Sequence, residues 1–127
     1  MADAPTPLQL EDLEATPPAG TLLARIDDLP AHGGRELIFK EGRFRTSIFI
    51  QRTGEGVSVF LNYCPHAGTP LNMFDENFMD TAGKNLLCRT HGALFDPRSG
   101  KCVRGPCKGK YLRAIAHTIE NGAIYSA

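Results

Sequence analysis

The chain has 127 residues, enough for one domain and hardly for two. Hydrophobic residues make up 42% and charged residues 22%, near the globular norm, which excludes wholesale disorder. Fourteen Lys and Arg balance fourteen Asp and Glu, so no global charge argues for nucleic acid, and no apolar run approaches the ~18 residues of a membrane span.

Residues 1–20 hold four acids (Asp3, Glu11, Asp12, Glu14), four prolines and no base, which predicts a flexible acidic leader ahead of a domain over 21–127. This start has neither a basic n-region nor an apolar h-region, so the expectation is a cytoplasmic protein without a secretory signal. Short apolar runs follow at Leu22–Ile26, Leu37–Phe39, Ser47–Ile50 and Val57–Leu61. They are rich in β-branched and aromatic residues. Turn signals separate them, namely His32-Gly33-Gly34, Glu41-Gly42 and Thr53-Gly54-Glu55-Gly56. That pattern predicts successive antiparallel strands. At the far end, Tyr111–Thr118 and Ala123–Tyr125 read as strands, the second pair joined through Asn121-Gly122. This dipeptide suits a type I′ turn, which needs positive φ at both central residues. Only Thr69–Phe78 reads as a possible helical turn. The fold class is therefore all-β.

Between the two strand sets, about 62–110, lie all four cysteines: Cys64, Cys88, Cys102 and Cys107. With no export signal the reducing cytosol is the default compartment, where clustered cysteines bind metal or do redox work more often than they form structural disulfides. Cys64-Pro65-His66 is followed, after 21 intervening residues, by Cys88-Arg89-Thr90-His91. Each half offers one thiolate and one imidazole from a short loop, with Gly68 and Gly92 close behind to let the loop turn. Two metals fit this set. Zinc takes all four ligands tetrahedrally and would make the chain a structural or regulatory metal module. A two-iron two-sulfur cluster takes both cysteines on one iron and both histidines on the other. The mixing of Cys and His within each loop favours the cluster, as do glycine-containing loops that offer donors to bridging sulfides.

The stretches Cys64-Pro65-His66-Ala67-Gly68-Thr69-Pro70-Leu71 and Cys88-Arg89-Thr90-His91-Gly92-Ala93-Leu94-Phe95-Asp96 resemble the two cluster-binding loops of Rieske-type [2Fe-2S] ferredoxins. Gly100-Lys101-Cys102 and Gly105-Pro106-Cys107 resemble the family's third loop, which packs over the cluster. The resemblance implies an antiparallel β-sandwich or barrel base with an inserted small cluster-binding β subdomain. It implies that Cys64 and Cys88 hold one iron while His66 and His91 hold the outer one. It implies a one-electron carrier rather than an enzyme, placed between a flavoprotein reductase and a terminal acceptor such as a Rieske non-haem iron oxygenase. A Rieske subunit of a larger, nitrite-reductase-like oxidoreductase is the alternative. No partner membrane or nucleic acid is implied.

Two ferric ions, two sulfides and two thiolates sum to zero charge with neutral histidines, so one added electron meets little repulsion. High-potential members carry hydroxyl residues where Ala93 and Phe95 stand, and a loop-to-loop disulfide where Thr69 and Thr90 stand. Both departures imply a potential toward the lower end of roughly −150 to +300 mV.

Cys102 and Cys107 read as free thiols packed as small apolar residues, the alternative being a disulfide closing Val103-Arg104-Gly105-Pro106. Neither is needed as a ligand. His32 and His117 lack a partner at ligand spacing and read as ordinary turn and strand histidines. Residues 84–113 hold eight bases and one acid, Asp96. The plain reading is a solvated face balanced by acids elsewhere. The functional reading is a basic collar that steers an acidic redox partner.

Overall fold

A computed structural model describes residues 6–29, 34–53, 56–63, 85–88, 92–105 and 109–127. Among the described residues nine strands follow in chain order: β1 (Leu22–Arg25), β2 (Gly34–Glu41), β3 (Phe44–Thr53), β4 (Gly56–Leu61), β5 (Leu86–Leu87), β6 (Leu94–Phe95), β7 (Cys102–Arg104), β8 (His117–Glu120) and β9 (Ala123–Ser126). They form three antiparallel three-stranded sheets, ordered β1-β9-β8, β2-β3-β4 and β5-β6-β7. Short 3₁₀ turns at Leu10–Asp12 and Ile26–Asp28 are the helical elements among the described residues.

The tight turns obey local backbone chemistry. Asn121 (φ 53°) and Gly122 (φ 75°) join β8 to β9 with both central residues left-handed, as the type I′ hairpin requires. Gly42 (φ 60°) opens the two-residue link between β2 and β3, whose register runs from Gly34 opposite Gln51 to Glu41 opposite Phe44.

The centre of β3, the middle strand of the middle sheet, is buried on both faces. Ile48, Phe49 and Ile50 of β3 are consecutive and all 0% exposed. Because successive strand residues point to opposite sides, they enter two different cores. Ile48 and Ile50, with Val59 of β4, pack with Leu23, Ala24 and Ile124 of the β1-β9-β8 sheet. Phe49, with Phe60 of β4, packs with Leu86, Cys88, Ala93, Phe95, Cys102 and Leu112 around the β5-β6-β7 sheet. The Phe49 and Phe60 rings meet with centroids 5.6 Å apart at 40°. Burying each such side chain contributes about 1.5–3 kcal/mol. The middle sheet is thus the common wall between a base core and the small sheet that carries Cys88.

Two sequence expectations change. The leader does not stand apart over its described part, residues 6–20. Leu10 is fully buried in the base core, with Leu8 and Leu13 packed against it. Leu8 bridges Ile115 in parallel, and Thr46 Oγ1 donates to Glu14 O at 2.6 Å. Acids and prolines dominate the composition of this segment, but three leucines supply enough apolar surface to dock it. Tyr111–Thr118, expected as one strand, is regular only from His117. Before that it makes single bridges: Tyr111 to Lys101, Ala114 to Phe60 and Ile115 to Leu8. Leu61 N–H donates to Arg113 O and Ile115 N–H to Val59 O, each at 2.8 Å. The segment crosses from one sheet to another, so its backbone bonds go to several partners in turn. The expected helical turn at Thr69–Phe78 and the turn residues His32 and Gly33 lie outside the described residues.

Candidate metal centre

Of the four ligands expected from sequence, Cys88 lies among the described residues, and Cys64, His66 and His91 lie outside them. Cys88 follows β5 directly and is 0% exposed. It is a free thiol, not part of a disulfide. Its N–H donates to Ala93 O at 2.9 Å, and its carbonyl accepts from Gly92 N–H at 2.9 Å. These two bonds tie Cys88 to Gly92 and Ala93, the residues that lead into β6. Gly92 sits at φ 76° in open space, so backbone conformation rather than crowding selects glycine there. Phe49, Phe60, Leu86, Phe95 and Leu112 surround Cys88 with apolar side chains.

The approach to the first box is anchored by a polar knot that sequence inspection missed. Asn62, 5% exposed, follows β4 directly, two residues before Cys64. Its Nδ2 donates to Glu36 Oε2 at 3.0 Å and Ser47 Oγ at 3.2 Å, and Ser47 Oγ donates to Glu36 Oε2 at 2.6 Å. Asn62 N–H also donates to Ser47 O at 2.9 Å. These partners come from β2 and β3, 26 and 15 residues away, so no local pattern signals them.

The stretch after β7 packs on the second box. Gly105 has φ 103°, and a Cβ placed on it would lie 3.0 Å from Ala93 Cα. The chain then returns, with Cys102 N–H donating to Lys110 O at 2.8 Å and Gly109 N–H to Cys102 O at 3.3 Å. Cys102 is disulfide-bonded. Its reading as a free thiol is therefore corrected. The compartment argument favoured a thiol, but the chain folds back on Cys102 here and brings a bridge within reach. Cys107, the partner considered from sequence, lies outside the described residues. His117 is half-buried in β8 with Nδ1 3.0 Å from Ile115 O, a strand histidine as expected. No group of three His, Cys, Asp or Glu gathers among the described residues, so the described donor set is Cys88 alone.

A two-box sequence whose second box is built around a buried, unbridged cysteine is matched over residues 21–119 by the family model for the Rieske [2Fe-2S] domain. The chain belongs to the Rieske [2Fe-2S] domain family. Its cofactor is accordingly a [2Fe-2S] cluster, which sets the zinc alternative aside. Cys88 suits this group, being a free thiol held by its backbone in an apolar wall that keeps water from the sulfur.

Solved Rieske structures share the fold. The ferredoxin of carbazole 1,9a-dioxygenase from Nocardioides aromaticivorans IC177 is 23% identical with a TM-score of 0.61, covering 84% of this chain and 97% of that one. The Sphingomonas yanoikuyae B1 ferredoxin is 20% identical with a TM-score of 0.62, covering 84% and 96%. A putative nitrite reductase small subunit is 18% identical with a TM-score of 0.58, also covering 84% and 96%. No curated protein matches the chain. No helix of the described residues is long and apolar enough to cross a membrane.

Proposed function

We propose that this protein is a small Rieske-type ferredoxin, a one-electron carrier rather than an enzyme. It takes electrons from a flavoprotein reductase and delivers them to a terminal acceptor such as a Rieske non-haem iron oxygenase, in the cytoplasm. Cys64 and Cys88 hold one iron, and His66 and His91 hold the other. When bound, the cluster supplies one-electron redox chemistry. The observation that carries the reading is Cys88, fully buried and unbridged, and tied by backbone bonds to Gly92 and Ala93. Ala93 and Phe95, both buried, present no side-chain hydroxyl, which supports a potential toward the lower end of roughly −150 to +300 mV.

The separate β5-β6-β7 sheet supports treating about 62–110 as a cluster-binding subdomain inserted into a domain over 21–127. The likeness to a nitrite reductase small subunit supports a second reading, a subunit held in a larger oxidoreductase. Native mass measured in a cell extract separates the two, because a carrier runs at its own 13.8 kDa or a small multiple of it.

The test is anaerobic purification followed by visible absorption, electron paramagnetic resonance, and iron and sulfide analysis. About two irons and two sulfides per chain are expected, with a paramagnetic signal on reduction. Cys88→Ser should abolish the colour. A Cys88→Ser protein with the full spectrum would refute the ligand assignment.

A further inference from the structure

The chain is neutral overall, yet its described residues around the small sheet are cationic. Around the small sheet, the described residues 85–88, 92–105 and 109–113 carry five bases, Arg98, Lys101, Arg104, Lys110 and Arg113, against one acid, Asp96. Asp96 is spent on its own turn, where Oδ1 accepts from the N–H groups of Arg98 and Ser99 at 2.8 and 3.0 Å. Arg113 faces the N-terminal segment and donates to Thr6 O at 3.0 Å. The remaining four, Arg98, Lys101, Arg104 and Lys110, are exposed. On the base side three exposed acids stand with one exposed base: Asp27 and Asp28 follow Arg25 of β1, and Glu120 ends β8, with Ile26 N–H bonded to Gly122 O at 2.9 Å to bring those turns together. Local positive charge at the small sheet attracts an acidic partner even when the net charge is zero.

The cationic end also offers an apolar centre. Val103 of β7 is 43% exposed. It alternates with Cys102, which points into the core, so Val103 and Lys101 share the outward face. Arg104 follows, and Gly105 rests on Ala93 of the second box. An exposed aliphatic residue flanked along the chain by the exposed Lys101 and Arg104 combines electrostatic steering with a small apolar contact.

We infer that strand β7, centred on Val103 and rimmed by Lys101, Arg104, Lys110 and Arg98, is the docking face for an acidic surface of the redox partner. This rests on the electron-carrier reading and adds the partner's charge and the place where it binds. An acidic partner surface is drawn to the small sheet, which Cys88 adjoins at the end of β5.

The test uses the reduced holoprotein and two one-electron oxidants of opposite charge, hexacyanoferrate(III) and tris(phenanthroline)cobalt(III), in stopped flow at varied ionic strength. Each accepts one electron from the protein and no bond is made or broken. Oxidation by hexacyanoferrate should slow as salt rises, and oxidation by the cobalt cation should quicken. Lys101→Glu with Arg104→Glu should slow hexacyanoferrate about tenfold at low salt and speed the cobalt complex. If that pair loses colour, Lys101→Gln with Arg104→Gln should give the same directions at smaller size. Poly-L-glutamate should compete with hexacyanoferrate on the wild type at low salt and not on the Glu pair. Asp27→Lys with Asp28→Lys, equal in charge change but on the far side, should move the rates far less. Equal effects from both pairs, or no competition by poly-L-glutamate, would overturn the docking face. A wild type without a cluster spectrum would instead end the carrier reading, so the two failures are distinguishable.

Discussion

Adjacent residues 48 and 49 should fail in different ways. Ile48 and Phe49 are both 0% exposed, but Ile48 faces the base core and Phe49 the core that holds Cys88. Ile48→Ala removes a buried aliphatic side chain, at a cost of about 2–5 kcal/mol. Phe49→Ala removes a ring, at a cost of about 3–5 kcal/mol, and forfeits the tilted contact with Phe60, worth about 0.5–1.5 kcal/mol of that loss. The two penalties overlap, so global stability alone does not separate them. Cluster retention does. Phe49 packs in the same apolar set as Cys88, Ala93 and Phe95, so its loss leaves a cavity directly under the second box. Ile48 lies on the opposite face of the same strand. The assay pairs full urea unfolding curves, which give each variant's stability, with the decay of visible absorbance under a chelator at a urea concentration where both variants are folded. Phe49→Ala should bleach several-fold faster than Ile48→Ala at matched stability. Equal bleaching rates would refute the division of the molecule into two cores by one wall.

Other consequences are simpler to read. Gly100 sits at φ 77°, and a Cβ there would lie 2.7 Å from the Phe60 ring and 3.2 Å from Leu112 O, whereas Gly109 at φ 91° has open space. Gly109→Ala should cost only the backbone penalty of about 1–2 kcal/mol, and Gly100→Ala that plus about 1–3 kcal/mol of overpacking; thermal melts of the two should differ accordingly. Cys102 should resist alkylation in denatured, unreduced protein and appear in a disulfide-linked peptide by mass spectrometry, while Cys88 should be alkylated once the metal is removed. Quantitative alkylation of Cys102 without reductant would contradict the bridge.

What the sequence alone determined is what its local chemistry demands. Asn121-Gly122 had to be a left-handed turn because few other pairs tolerate two positive φ angles. The strand runs at Leu37–Phe39, Ser47–Ile50 and Val57–Leu61 fall inside β2, β3 and β4, because β-branched and aromatic residues between turn signals leave little choice. The paired Cys and His boxes carry the resemblance to the Rieske family, while their spacing by itself left zinc and a cluster both open; the family match decided between them. Cys88 lies among the described residues, and Cys64, His66 and His91 lie outside them. Tertiary structure decided what covers each face. Alternation says that Ile48 and Phe49 point apart, but not that both sides are buried. Leu8 and Leu10 do not announce that they dock, and Asn62 does not announce Glu36 and Ser47. The fold-back that brings Gly105 onto Ala93 is equally silent. Each of these joins segments far apart in the chain, where contact depends on the whole packing and no neighbouring residue records it.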